Sequence, residues 1–286
     1  MSLITLKENL ALVPQGAVGA FSTFDLFTAQ GIIMGAERAN RPVIMMIGAR
    51  VLNRPGNEEI GSVMVKLAKE AKVPVTVFLD HAPDFESCMK AIRLGFSTVM
   101  IDGSALPLAE NISLVRQVTE AAHAAGVSVE AELGALSGIE DGAEGKLMLT
   151  DPKEVPGFVE ATGIDALAIS IGNAHGLYHG IPELHFEVLE ESRKLTQIPL
   201  VLHGGTGLSR EQFAMAVSRS MRKVNIGTEI KRAFMDKFTE MHLAAKDSYD
   251  LPGVLQEAKA AVASVVAEDL EFFAEGWRKL VPTGRE

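Results

Sequence analysis

The chain has a single cysteine, Cys88, and a lone cysteine excludes an intramolecular disulfide. This shortage fits a reducing, cytoplasmic location, and we expect Cys88 to be a buried, neutral thiol in a helix after the third strand. No apolar run reaches the roughly 18 residues that a membrane span needs. The N-terminus also lacks a basic segment followed by an apolar one, so we predict neither a membrane helix nor a signal peptide.

Positive charge is in short supply. The 286 residues include 27 Lys and Arg against 37 Asp and Glu, which gives a formal net charge of −10. This balance argues against nucleic acid or a membrane surface as a partner. A small anionic substrate can still bind, because helix N-termini and a metal ion act locally.

Eight short apolar runs, separated by helical stretches, organise the chain. The runs cover residues 17–22, 43–48, 75–80, 98–101, 127–132, 165–171, 199–203 and 223–226. The helical stretches include 62–71, 110–126, 182–196 and 210–220. Buried strands that alternate with helices indicate an α/β fold with a parallel sheet. Eight repeats predict a closed (β/α)₈ TIM barrel, with an open doubly wound sheet as the alternative.

No linker or low-complexity segment divides the chain, so we predict a single domain over residues 1–286. The barrel would cover about 10–235 and a C-terminal helical extension about 236–286. Within the extension, residues 254–275 predict a long amphipathic helix after a break at 250–253. Such a helix usually packs on the barrel or on a neighbouring subunit.

Polar residues stand at or just past the ends of these runs. They are Asp80, His81, Asp102, Glu130, Glu132, Asn173, His175, His203 and Asn225. In a closed parallel barrel the carboxyl ends of the strands meet in one ring. Three histidines at such ends predict a metal site, and three imidazoles with an open position are typical of catalytic zinc.

Two glycine-rich segments, HGGTG at 203–207 and NIGT at 225–228, follow the seventh and eighth runs. This is the barrel position where backbone N–H groups and a helix N-terminus commonly bind phosphate. The long segment between Glu132 and Asp151, rich in glycine and acidic residues, predicts a lid over the same face.

Ordered motifs over roughly residues 10–275 resemble the class II, zinc-dependent ketose-bisphosphate aldolases, which include fructose- and tagatose-bisphosphate aldolases. These motifs are LDHAPDFESCMKAIRLGFSTVMIDGS, VEAELG, GIEDG, TDPKEVPGFVEATGIDALAISIGNAHGLY, PLVLHGGTGL and KVNIGTE. The resemblance implies a cytoplasmic enzyme of carbohydrate metabolism and glycolysis. It also implies a homodimer or homotetramer that acts on a small phosphorylated sugar.

The resemblance also implies a role for each matching position. One Zn²⁺ per subunit is held by His81, His175 and His203, with Asp102 and Glu132 as an alternative metal position. Asp80 is the acid/base for the C4 hydroxyl, and Glu140, on the lid, exchanges a proton with C3. The dihydroxyacetone phosphate site comprises Gly176, Gly204, Gly205, Thr206, Asn225, Ile226, Gly227 and Thr228. Backbone near Gly176, Gly204 and Thr206 would also hold a monovalent cation, Na⁺ or K⁺.

The implied reaction is reversible retro-aldol cleavage of a ketose 1-phosphate or 1,6-bisphosphate to dihydroxyacetone phosphate and an aldehyde. Cleavage leaves negative charge that a Lewis acid stabilises, and a carboxylate can take the C4 hydroxyl proton. The other aldolase route needs a lysine at a strand end to form a Schiff base. Lys72 and Lys223 are predicted to precede their strands, which disfavours that route.

The aldehyde side of the pocket departs from the family pattern. The usual Phe-Asn with a second Asn three residues on is replaced by Phe21-Ser22-Thr23-Phe24-Asp25. Gly48 stands where a serine usually helps to bind the distal phosphate, and Asp250-Leu251-Pro252 lacks the arginine of Asp-Pro-Arg. Arg50 either replaces lost anion binding or is a solvated loop residue. Asp25, Gly48 and Arg50 are therefore the aldehyde-side candidates, and a ketose lacking the distal phosphate is an alternative substrate.

Two other functions compete with an aldolase. A phosphate-binding isomerase or epimerase barrel does not require three strand-end histidines beside an aspartate. A non-catalytic sugar-phosphate-binding barrel would be expected to have lost a metal ligand or Asp80, and all of these residues are present.

Overall fold

The computed structural model describes residues 2–140, 143–145, 147–176, 182–245 and 248–281. The strands in these ranges are β1 (Val18–Ser22), β2 (Val43–Gly48), β3 (Val75–Ala82), β4 (Thr98–Ile101), β5 (Ser128–Leu133), β6 (Ser137–Glu140), β7 (Ala143–Gly145), β8 (Ala166–Ile169), β9 (Ala174–His175), β10 (Leu200–Leu202) and β11 (Met221–Ile226). The helices are α1 (Leu6–Ala11), α2 (Leu26–Ala39), α3 (Ala49–Leu52), α4 (Glu58–Glu70), α5 (Phe85–Leu94), α6 (Leu108–Ala124), α7 (Val155–Thr162), α8 (Phe186–Leu195), α9 (Arg210–Ser218), α10 (Thr228–Ala244) and α11 (Leu251–Ala274). A short 3₁₀ helix follows at Gly276–Lys279.

Eight parallel strands close into a barrel in the order β1-β2-β3-β4-β5-β8-β10-β11, with β11 paired to β1. Helices follow the strands and surround this barrel, as the alternation of apolar runs and helical stretches predicts. The predicted TIM barrel is therefore confirmed, and the open doubly wound alternative is wrong.

Alternation along each strand divides the core into two layers. In β2, the side chains of Val43, Met45 and Ile47 belong to the layer between the barrel and its helices. Ile44 and Met46 belong to a second cluster inside the barrel. Because both faces are apolar, the strands read as continuous apolar runs.

Helix α1 closes the amino-terminal end of the barrel. Its side chains of Leu6 and Leu10 join the interior cluster, and the Leu6 amide donates to Thr98 Oγ1 at 2.9 Å. The half-buried guanidinium of Arg222 donates to carbonyl oxygens at the end of this helix, those of Leu10, Val13 and Pro14. Polar side chains then concentrate at the opposite, carboxyl-terminal end.

Helix α11 packs on α2 with small residues at the contact. A Cβ added at Gly35 would lie 2.6 Å from the Ala263 carbonyl oxygen, so the two helix backbones approach closely. The Arg210 guanidinium lies 2.7 Å from Asp269, which links α11 to the start of α9. Across the described ranges, none of the helices has both the length and the apolarity for a membrane crossing.

Candidate active site

Inward-facing polar side chains converge at the carboxyl ends of five barrel strands. They are Asp80, Asp102, Glu132, His203 and Asn225. Their inward direction follows from alternation, because neighbouring residues such as Leu79 and Leu202 pack towards the helices. Asn225 Nδ2 donates to Asp80 Oδ1 at 3.3 Å, so the third and eighth barrel strands meet here.

A β-bulge brings His81 to the same cluster as Asp80. In β3, Leu79 pairs with Val99 and Ala82 pairs with Ile101, so two residues of β3 oppose one residue of β4. His81 has a φ of 46°, a left-handed conformation that is uncommon outside glycine. A regular strand would send adjacent side chains to opposite faces, and the bulge redirects one of them.

Two imidazoles face each other at the centre of the cluster. His81 Nε2 lies 2.8 Å from His203 Nδ1, and the two rings are nearly perpendicular at 88°. The outer nitrogen of each ring contacts a carboxylate. His81 Nδ1 is 2.8 Å from Asp102 Oδ2, and His203 Nε2 is 2.9 Å from Glu130 Oε1.

The electrostatics assign both carboxylates as acceptors. Burial alone would raise the pKa of Asp102, but hydrogen bonding and charge from His81, together with Ser104, hold that pKa well below its usual range. Burial would also raise the pKa of Glu130, but the charge of Lys223 and the hydrogen bond with His203 lower it. Burial lowers the pKa of His203, which favours the neutral ring.

A carboxylate accepts hydrogen bonds and does not donate them, and a neutral imidazole has one N–H. Neutral His203 therefore directs its N–H to Glu130, and its Nδ1 lone pair faces His81 Nε2 at 2.8 Å.

The same side chains form two groups with the ligand atoms of a metal site. Asp80, His81 and His203 have ligand atoms that all lie within 4.8 Å of one another. His81, Asp102 and Glu132 form a second group by the same measure. The predicted metal position and its predicted alternative are thus adjacent and share His81. The backbone of the third predicted ligand, His175, ends β9, while its side chain lies outside the described part of the structure.

A pocket beside this cluster is lined by backbone and small side chains. The lining residues are Ser22, Met46, Gly176, Gly204, Gly205, Thr206, Asn225, Gly227 and Thr228. The amino end of α10 begins at this pocket, so its amide groups and helix dipole favour an anion there. All of the predicted phosphate-site residues except Ile226 line the pocket. The Ile226 side chain packs in the outer layer of the core instead.

The predicted lid contains a small sheet. Strands β6 and β7 form an antiparallel hairpin, and β6 also pairs in parallel with β9 through Ser137–Ala174 and Gly138–His175. At the base of this segment, Ala135 and Met148 form a bridge. The Glu140 backbone ends β6, and its side chain lies outside the described residues.

Comparisons with known proteins agree with this geometry. The family model described as fructose-bisphosphate aldolase class-II matches residues 9–276. The chain is 41% identical over 283 residues to a fructose-bisphosphate aldolase of Geobacillus stearothermophilus, covering 96% of this chain and 99% of that protein. It is 37% identical over 278 residues to a 6-phospho-5-dehydro-2-deoxy-D-gluconate aldolase of Bacillus subtilis, covering 96% of each. The chain belongs to the class II fructose-bisphosphate aldolase family.

A solved structure supports the same assignment. The crystal structure of the YdjI aldolase from Escherichia coli K12 superposes with a TM-score of 0.84 at 32% identity, covering 95% of this chain and 97% of that one. Class II aldolases are lyases that depend on a metal ion, typically zinc. The residues present fit such an ion, since imidazole and carboxylate are ligands that zinc binds and those of Asp80, His81 and His203 lie within 4.8 Å of one another.

The three residues predicted to contact the aldehyde, Asp25, Gly48 and Arg50, do not form a cluster like that around His81 and His203. Asp25 caps α2, with its Oδ1 accepting from the Thr28 amide at 2.7 Å. Gly48 pairs with Asp80 in the register of β2 and β3, so it adjoins the cluster without contributing a side chain. Arg50 is exposed on α3.

Sequence reasoning was wrong about Lys223. It lies inside β11, which begins at Met221, and its fully buried Nζ contacts Glu130 Oε1 at 2.9 Å. The sequence analysis places Glu130 at the end of a strand and predicts no function for it. In the structure, Glu130 Oε1 contacts His203 directly. The available signal was alternation in VSVEAE, which puts Glu130 on the same face as Glu132. Ser22, which the sequence analysis gives only as a departure from the family pattern, lines the pocket that contains the predicted phosphate-site residues.

Proposed function

We propose that this chain catalyses the reversible retro-aldol cleavage of a ketose 1-phosphate or ketose 1,6-bisphosphate. The products are dihydroxyacetone phosphate and an aldehyde. One Zn²⁺ per subunit would be held by His81, His175 and His203. The observation that carries this proposal is the 2.8 Å approach of His81 Nε2 and His203 Nδ1. Asp80 and a phosphate pocket adjoin these two atoms.

The residues of the chain divide the reaction between them. When bound, the metal supplies Lewis-acid stabilisation of the negative charge that develops on the ketose oxygens at C2 and C3. Asp80 takes the C4 hydroxyl proton during cleavage, and the amide of Asn225 orients it at 3.3 Å. Glu140 returns a proton to C3 from the lid. Asp102 and Glu132 offer the metal an alternative position.

The phosphate of the dihydroxyacetone half binds in the glycine-lined pocket. Gly176, Gly204, Gly205 and Gly227 leave the backbone accessible, and the Thr206 and Thr228 hydroxyls adjoin it. Asn225 Oδ1 is buried and has no hydrogen-bond partner among the described residues, so it can accept from a substrate hydroxyl. Backbone near Gly176, Gly204 and Thr206 is also the proposed site for Na⁺ or K⁺.

Fructose 1,6-bisphosphate and tagatose 1,6-bisphosphate are the first candidate substrates. A ketose lacking the distal phosphate is the second, because Asp25 caps a helix and Gly48 has no side chain to offer. Two relatives of comparable identity carry names with different substrates, a fructose bisphosphate and a phosphorylated deoxygluconate. Similarity to these relatives therefore does not identify the aldehyde product. The non-catalytic sugar-phosphate-binding alternative has no observation in its favour.

The cellular setting follows the same proposal. We expect one catalytic domain over residues 1–286 that forms a homodimer or homotetramer in the cytoplasm. Support for assembly comes from exposed apolar side chains on α10, just before α11 and at the start of α11, namely Met235, Leu243, Tyr249 and Leu251.

Proton exchange at the hydroxymethyl carbon of dihydroxyacetone phosphate, which becomes C3 of the ketose, tests the proposed metal and phosphate sites. It requires no assumption about the aldehyde. The experiment follows exchange in D₂O by NMR, with and without chelator. We expect exchange that chelator abolishes and added zinc restores. Absence of exchange at full metal occupancy would contradict the proposal.

Asp80→Asn then separates the two halves of the reaction. Because Asp80 acts at C4, this variant should retain C3 exchange while bisphosphate cleavage falls by about 10²–10⁴-fold. Asp236→Asn is the matched control, since Asp236 is an exposed carboxylate on α10. Equal loss of exchange and cleavage in Asp80→Asn would contradict the assigned role. Cleavage rates with fructose 1,6-bisphosphate and fructose 1-phosphate decide between the two substrate classes.

A further inference from the structure

A charged pair lies inside the barrel, below the proposed metal site, and takes no part in the chemistry above. Glu130 of β5 and Lys223 of β11 are both fully buried, and their charged atoms are 2.9 Å apart. Lys223 Nζ also lies 4.1 Å from the centre of the Phe78 ring. Taking two charges out of water is costly, and a buried ion pair seldom improves stability over apolar residues of similar size. Stability alone therefore does not account for the Glu130–Lys223 pair.

The pair is connected to the site through one oxygen atom. Glu130 Oε1 contacts both Lys223 Nζ and His203 Nε2, each at 2.9 Å. Glu130 Oε2 has no hydrogen-bond partner in the described ranges. His203 is itself fully buried, and its other nitrogen faces His81. The chain of contacts thus runs from Lys223 through Glu130 to the ring that bears a proposed metal ligand atom.

We propose that Glu130 and Lys223 are positioning residues that fix the tautomer and orientation of His203 for metal binding. Glu130 accepts the Nε2–H of His203, which leaves the lone pair on Nδ1, the atom that faces His81. Lys223 Nζ donates to the same Glu130 oxygen at 2.9 Å, so the acceptor of the His203 N–H is fixed in place from the opposite strand. This inference rests on the proposed role of His203 as a metal ligand.

Asp102 gives His81 a corresponding arrangement from the opposite side of the site, at 2.8 Å from His81 Nδ1. The two carboxylates differ in their surroundings, because Asp102 is partly exposed while Glu130 is sealed inside the barrel. Among the described residues, a lysine contact is present for Glu130 and not for Asp102.

The test compares two double variants that both remove the buried charges. Glu130→Gln/Lys223→Met retains an acceptor for the His203 N–H, and Glu130→Leu/Lys223→Met does not. Zinc affinity is measured by chelator competition, and ¹⁵N NMR of the histidine rings in metal-free protein reports the tautomer of His203. We expect the Leu variant to bind zinc about 10–100-fold more weakly than wild type, with mixed tautomers. The Gln variant should stay within a few-fold of wild type and keep the Nε2–H form.

Glu130→Asp provides a second comparison that preserves the buried charges. Its shorter side chain can still pair with Lys223 but withdraws the oxygen from His203, so zinc affinity should again fall. Urea unfolding of the metal-free variants separates this effect from general destabilisation. Equal zinc affinity in the Gln and Leu double variants would overturn the inference. Failure of the proposed metal site is distinguishable, because wild type would then bind zinc no better than His203→Ala.

Discussion

A methyl group at Gly204 should disrupt the proposed phosphate pocket, because Gly204 lines it and has no room for a side chain. Gly204 has a φ of 62°, and an added Cβ would lie 2.6 Å from the Ala174 carbonyl carbon and overlap its oxygen. The left-handed backbone costs an alanine about 1–2 kcal/mol. Displacing the packed backbone of Ala174 adds about 1–3 kcal/mol. We therefore expect Gly204→Ala to lower the free energy of unfolding by about 2–5 kcal/mol in total.

Substitutions at two other glycines serve as controls that separate the cost of the left-handed backbone from the cost of displacing Ala174. Gly126 has a φ of 73° and nothing within 4 Å of an added Cβ, so Gly126→Ala should show the backbone cost of about 1–2 kcal/mol alone. Gly157 lies in α7, also with nothing within 4 Å, and Gly157→Ala should stabilise the protein by about 0.5–1 kcal/mol.

The assay is urea unfolding of all three variants at one metal concentration, together with KM for the phosphorylated substrate. Only Gly204→Ala should raise KM, because the displaced loop lines the proposed phosphate pocket. The reasoning is refuted if Gly204→Ala unfolds at the same urea concentration as Gly126→Ala and leaves KM unchanged.

Three further predictions concern residues away from the reacting groups. Burial raises the pKa of Asp269 to about 6, above the ordinary 3.8. The stabilising contribution of its protonated form is complete below about pH 4 and is lost as pH rises through 6. Between pH 4.5 and 7.5, wild type should therefore lose about 2 kcal/mol relative to Asp269→Asn in urea titrations, and parallel profiles would contradict this. Arg222→Met removes the donors to three carbonyl oxygens at α1, so it should cost about 1–3 kcal/mol and speed amide exchange in that helix. Exchange unchanged from wild type would exclude this anchoring role. Burial raises the pKa of Cys88 to about 12, so iodoacetamide at pH 8 should modify this thiol only after unfolding, as mass spectrometry would detect.

The barrel and the rim of its active site could be predicted from the sequence because both depend on local pattern. Strands buried on two faces appear as short apolar runs, and the polar residue that ends a run must lie at the rim. Asp80, His203 and Asn225 were predicted at the rim on this basis, and the structure brings them to one cluster.

Features that depend on contacts between distant segments could not be predicted. The first two residues of β11, Met221 and Arg222, were missed because the charge of Arg222 is satisfied by carbonyl oxygens far away in the chain. The bulge at His81 depends on the register between β3 and β4, and this register cannot be predicted from the residue types. The closing of the barrel by α1 was missed for the same reason, since six residues carry too little periodicity to assign a position.

The pairing of β6 with β9 has a consequence for the order of events in a catalytic cycle. Backbone hydrogen bonds join Ser137 and Gly138 to Ala174 and His175, and the same strand β6 ends at Glu140. The proposed proton donor, Glu140, and a proposed metal ligand, His175, are thus on neighbouring strands of one sheet. Any displacement that preserves this pairing must carry both. We therefore expect metal exchange to be fastest when this sheet is displaced.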